Sequence, residues 1–138
     1  MNGSVSDRTF GQWLDEYKDE IEQAALFSIS DLPDEPAARG TQLGRANSEC
    51  ARMGFLLADA ESFVLKAHAG AVVAVRKSHG DLSAGERNVV AKSDEDYVAA
   101  VRARDDLQVI VSALSRKSYA IMNLNKTTFH PAQSDHGQ

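Results

Sequence analysis

Residues 37–130 contain no proline. Within that stretch Cys50, Met53, Leu57, Ala60, Val64, Ala67, Ala71 and Ala74 recur by alternating steps of three and four. Proline breaks a helix interior, and a three–four alternation keeps one face of a helix apolar along its length. Together these features predict a long helix from about Gln42 to Ser78, whose small seam residues allow close helix approach. A second group, Phe55, Leu56, Phe63, Val72 and Val73, lies off the seam. A helix apolar on two sides needs more than one partner. Ser78-His79-Gly80-Asp81 ends it, with Gly80 placed to act as a left-handed cap.

The next segment opens with Ser83 and Glu86 at capping-box spacing. Tyr97, Val101, Arg104, Gln108, Val111, Leu114, Ser118 and Ile121 trace its stripe, widened by Leu107 and Ile110. Near the start of the chain, Phe10, Trp13, Leu14, Tyr17, Ile21 and Ala24 form the apolar stripe of an acidic amphipathic helix, with Thr9 and Gln12 as its capping box. No alternating strand pattern is present. The expected fold is all-α: an N-terminal amphipathic helix followed by a long antiparallel helical hairpin. The expected boundaries are a loose N-terminus (1–8), the acidic helix (9–28), a Pro/Gly linker (29–41), the hairpin (42–125) and a loose polar tail (126–138). Each hairpin arm, at 1.5 Å per residue, spans roughly 55–60 Å. The two-sided second helix predicts a homo-oligomer, with Met53, Leu57, Ala60, Val64, Ala67 and Ala71 at the interface.

Charge narrows the function classes. The 138 residues carry a net charge of −5, unevenly spread: residues 1–40 hold nine acids and three bases, residues 41–138 eleven acids and twelve bases. A pI near 5.3 argues against coating nucleic acid by bulk charge. The apolar runs are too short to span a membrane, and the N-terminus lacks the basic start and apolar centre of a signal peptide. A lone cysteine, Cys50, fits a reducing compartment, so a cytoplasmic location is expected.

Candidate chemistry is sparse. Neither GxxxxGK[ST] nor GxGxxG occurs. His68, His79, His130 and His136 are scattered without metal-ligand spacing, and Cys50 reads as a small core residue. Acid clusters at Asp94-Glu95-Asp96 and Asp105-Asp106, and the pair Asp59 and Glu61, read as helix starts or solvated faces. The expectation is no catalytic residue, no metal and no cofactor. Cations remain as phosphate-binding candidates: Lys66, then Arg76, Lys77, Arg87 and Lys92 around the hairpin bend, and the pair Arg116 and Lys117. Arg76 and Lys77 have an alternative role, since positive charge at a helix C-terminus is favourable in itself. Arg116 and Lys117 equally fit a solvated face.

From Met53 to Leu124 the chain resembles the phage recombination mediator proteins of the UvsY type. The likeness rests on Leu57-Ala58-Asp59-Ala60-Glu61, Val75-Arg76-Lys77-Ser78-His79-Gly80, Ser93-Asp94-Glu95-Asp96-Tyr97-Val98 and Leu114-Ser115-Arg116-Lys117-Ser118-Tyr119-Ala120-Ile121. The resemblance implies a non-enzymatic accessory factor of DNA recombination and repair in the host cell cytoplasm. Such a factor forms homo-oligomeric rings, binds single-stranded DNA and helps a RecA-like recombinase displace single-strand-binding protein. A ring would present many copies of a few cations to one strand. The alternative is an oligomeric helical scaffold, chaperone or regulator that binds only protein partners, which the even charge balance of residues 41–138 favours.

Overall fold

Side-chain caps open three helices of the described residues, and a proline opens another. The structure, a computed structural model, describes the backbone of residues 8–136 and the side chains of residues 8–126. Most of the expected loose N-terminus, residues 1–7, lies outside the described residues. The Thr9 hydroxyl accepts from the Gln12 amide at 3.1 Å and Gln12 Oε1 accepts from the Thr9 amide at 3.0 Å, opening α1 (Phe10–Ser28). Helix α2 (Pro36–Ser78) starts at a proline, whose fixed φ and missing N–H suit the first helical position. The linker is therefore residues 29–35, shorter than the expected 29–41. Ser83 and Glu86 form a reciprocal cap on α3 (Ala84–Ala91), with both bonds at 3.2 Å. Asp94 Oδ2 then accepts from the Tyr97 amide at 3.1 Å and opens α4 (Glu95–His136).

The second hairpin arm is thus two helices rather than one, because Asp94 caps a fresh start instead of continuing the first. Helix α4 also runs past Asn125 to His136, where a loose tail is expected. Polar composition decides solvation, and by itself it does not stop a helix. Gly80 differs from expectation as well. The helix ends at Ser78 with His79 as its C-cap, and Gly80 is outside the left-handed region. Glycine serves there by close approach, since a β-carbon would lie 3.1 Å from the Arg76 carbonyl oxygen.

At 1.5 Å per residue, α2 and α4 are rods of roughly 65 Å, and α1 is under half that length. They pack antiparallel, with Cys50 beside the Val111 carbonyl and Asn47 bonded to the Ser118 hydroxyl. Helix α1 lies antiparallel to α2: Phe10 meets Phe63, Trp13 meets Asp59, and Glu20 pairs with Arg52. A three-helix core results, holding Trp13, Met53, Leu56, Ala60, Phe63, Val64, Leu107 and Leu114. A smaller cluster of Ala71, Val75 and Ala91 fastens α3 to the far end of α2.

This packing corrects the expected oligomer interface. Met53, Ala60, Val64 and Ala71 are buried inside the chain, and Leu57 and Ala67 are half-buried. Their seam faces α4 and α1 within one protomer, because the chain itself folds a second apolar stripe back onto it. Of the off-seam residues, Leu56 and Phe63 are buried, while Phe55 and Val73 stay exposed. The buried side of α4 is likewise displaced. Ala100, Leu107, Ile110, Leu114 and Ile121 are its buried apolar residues, whereas Gln108 is exposed. Two neighbours pull the buried arc toward the side that α1 covers.

Candidate interaction surfaces

The α2–α3 end of the bundle gathers some of the expected phosphate-binding cations. Arg76 and Lys77 occupy the last turn of α2 and are exposed, as is Lys92 at the end of α3. Arg87 is half-buried and its Nη1 donates to the Leu82 carbonyl at 2.8 Å, so it holds the turn between α2 and α3. Lys66 lies further back along α2, its ammonium 6.0 Å from the centre of the Phe63 ring. Residues 66–96 also contain Asp81, Glu86, Asp94, Glu95 and Asp96 against those five bases. With the charges equal in number, this segment carries no net charge to draw in a polyanion.

Arg116 and Lys117 are not brought to that end. They sit on α4 at the level of the α1–α2 connection, and only Arg116 is exposed. Lys117 is 5% exposed, and its ammonium donates to the Ser30 carbonyl at 2.6 Å and the Ser30 hydroxyl at 2.9 Å. Its Nζ also lies 4.8 Å from the centre of the Phe27 ring, while the Arg45 guanidinium lies over the same ring at 4.0 Å. Burial pushes the lysine below its ordinary pKa, with the Asp31 charge opposing. Lys117 is therefore a tie between α4 and the end of α1, not a ligand for phosphate. Phe27 was legible as one more step of three along the first stripe, after Ala24. Its cationic neighbours were not, since they come from two other helices.

Several grooves run along the bundle. The first, about 420 Å³, lies between α1 and α4. Leu14, Ile21, Ala25, Val109 and Ile110 form its apolar floor, and Lys18, Glu22 and Asp106 stand at its rim. Val109, 65% exposed, lies outside the sequence-derived stripe and had no other signal than an apolar neighbour of Ile110. The second groove, about 450 Å³, lies between α2 and α4, where Cys50, Ser115, Ser118, Tyr119 and Met122 line it. Tyr119 is 64% exposed.

His68 and Asp59 are engaged in contacts between helices, and the side chains of His130 and His136 lie outside the described residues. His68 Nε2 lies 3.0 Å from Asn88 Oδ1 and its ring meets Tyr97 at 5.5 Å, which joins α2 to α3 and α4. Asp59 Oδ2 accepts from Trp13 Nε1 at 3.0 Å. Among the described residues, no group of three or more His, Cys, Asp or Glu side chains could hold a metal ion. No helix of the described residues is long and apolar enough to cross a membrane.

Comparison with protein-family models, with curated proteins and with solved structures finds no match to this chain.

Proposed function

We propose that the protein is a non-enzymatic helical interaction module that receives an apolar helical segment of a partner protein between α1 and α4. The observation that carries this reading is the composition of that groove: an apolar floor with exposed Val109, rimmed by charges of both signs. Amphipathic helices dock by setting their apolar residues into such grooves while their polar flanks meet the rim. Two long helices and a shorter third supply a rigid floor, which lowers the ordering cost of binding.

Site-specific photocrosslinking in the cell of origin tests this. A photoreactive side chain at Val109 should yield a discrete adduct, and one at exposed Arg102 should not. Equal labelling from both positions would remove the groove from consideration.

A second reading, a recombination accessory factor that binds single-stranded DNA, is favoured by the exposure of Arg76, Lys77 and Lys92 at one end of the molecule. It is weaker by two cations, since Lys117 is buried and Arg87 is held by backbone carbonyls. Titration of a fluorescent single-stranded oligonucleotide at low and moderate salt separates the two readings. The groove module ignores the strand at both salts, whereas an accessory factor binds it and loses affinity steeply as salt rises.

A further inference from the structure

Helix α2 has a third face, turned away from both neighbours. Arg45, Arg52 and Asp59 meet α1, and Asn47 and Cys50 meet α4. The remaining side carries Ala51, which also edges the α2–α4 groove, then Phe55, Ala58, Ser62, Leu65 and Ala69, spaced four, three, four, three and four. None is charged. Phe55 is 70% and Leu65 72% exposed, and the three alanines are exposed too. The outer face of a solvated helix is ordinarily polar. A seam of average spacing 3.5 is what a helix presents to another helix lying along it.

We propose that a second copy of this chain covers this face, with the two α2 helices antiparallel about a two-fold axis at Ser62. The order of side-chain sizes carries the proposal. Under that two-fold, Phe55 lies opposite the partner's Ala69, Ser62 meets its own copy, and Ala58 falls one residue, about 1.5 Å, from the level of the partner's Leu65. Every large side chain faces a small one, which lets the helices approach and fill the space between them. A parallel pair sets Phe55 on Phe55 and Leu65 on Leu65, holding the helices apart with voids at the alanines. On the α1 side, the two-fold also brings Lys66 to the level of the partner's Asp59. On the α4 side it sets Glu61 near the partner's Glu61, a repulsion that weakens the pair.

Size sets the strength. The seam from Ala51 to Val73 is roughly 33 Å long and about 10 Å wide. Both sides together bury roughly 700 Å², below the ~1,200 Å² of a stable interface. The dimer is therefore reversible and forms as concentration rises. This surface is separate from the α1–α4 groove, so either assignment stands without the other.

Sedimentation velocity over a range of concentrations, joined with cysteine crosslinking in a Cys50→Ala background, tests the proposal. The wild-type chain should pass from monomer to dimer. Ser62→Cys should form a covalent dimer. Phe55→Cys alone should not, because its two copies lie roughly 21 Å apart along the axis. A mixture of Phe55→Cys and Ala69→Cys should crosslink. Phe55→Glu should weaken association roughly tenfold or more, while Val109→Glu on another face leaves it unchanged. Glu61→Gln should tighten it. A chain that stays monomeric at every concentration overturns the dimer, and self-crosslinking of Phe55→Cys as readily as Ser62→Cys overturns the antiparallel arrangement.

Discussion

The Lys117 ammonium donates to the backbone carbonyl of Ser30 at 2.6 Å, joining the middle of α4 to the residues that follow α1. A buried donor of this kind is worth most when its partner has no other source of hydrogen bonds. Lys117→Ala should cost about 1–3 kcal/mol, read as a lower urea midpoint. Lys117→Met, which keeps the aliphatic stem beside Phe27, should cost less. Neither substitution should alter affinity for single-stranded DNA. A loss of such affinity without loss of stability would return Lys117 to the set of phosphate ligands.

The same burial makes a pH prediction. Lys117 holds its proton less tightly in the folded chain than in the unfolded one, where lysine titrates near 10.5. Between its lowered folded value and 10.5 the unfolded state binds more protons, so this group's contribution to stability rises with pH. The stability difference between the wild type and Lys117→Met should grow across that alkaline window, as measured by denaturation at a series of pH values.

At acid pH the cap of α3 gives the same sign in a different window. Bonds from the Ser83 hydroxyl and backbone hold the Glu86 carboxyl below its ordinary value of 4.5. Its contribution is present above 4.5 and is lost as pH falls through the lower folded value. Amide-exchange protection within Ala84–Ala91, taken relative to the intrinsic rate at each pH, should fall there in the wild type, and Glu86→Gln should remove that pH dependence.

Trp13 is 1% exposed and is the only tryptophan, so its emission reports the docking of α1. Asp59→Ala removes the acceptor of the indole N–H and should cost about 1–3 kcal/mol, because a buried donor is left unpaired. The emission maximum should shift as α1 loosens. An unchanged unfolding midpoint would mean that water replaces the carboxylate at no cost.

Two leucines of equal size should respond differently. Leu114, with no exposed surface, should cost about 2–5 kcal/mol on substitution by alanine. Leu65, 72% exposed, should stay within about 0.5 kcal/mol as a monomer. Its effect should instead be reduced self-association. Chemical denaturation and sedimentation of both variants decide the matter.

Most of the helical content was legible because local chemistry determines it. The two capping boxes, at Thr9 with Gln12 and at Ser83 with Glu86, form the bonds their spacing requires. Other boundaries misled. Pro36 looked like a linker residue because proline ends helices more visibly than it starts them. Asp94 read as a helix start or a solvated face, yet the arm from Ser83 onward read as one segment because no proline separates the two. The cations were harder still. Arg76 and Lys117 are both basic residues on long helices, yet one is solvated and the other is 5% exposed.

The sequence by itself determined that this protein is all-α and where its apolar stripes run, because helix periodicity and capping act within a few residues. Tertiary structure alone decided which stripe each helix spends on its neighbours. The seam of Met53, Ala60 and Val64 became the interior of one chain once α1 and α4 closed over it. Phe55 and Leu65, no less apolar, remained outside because three helices meet along one axis and each can turn only part of its surface inward.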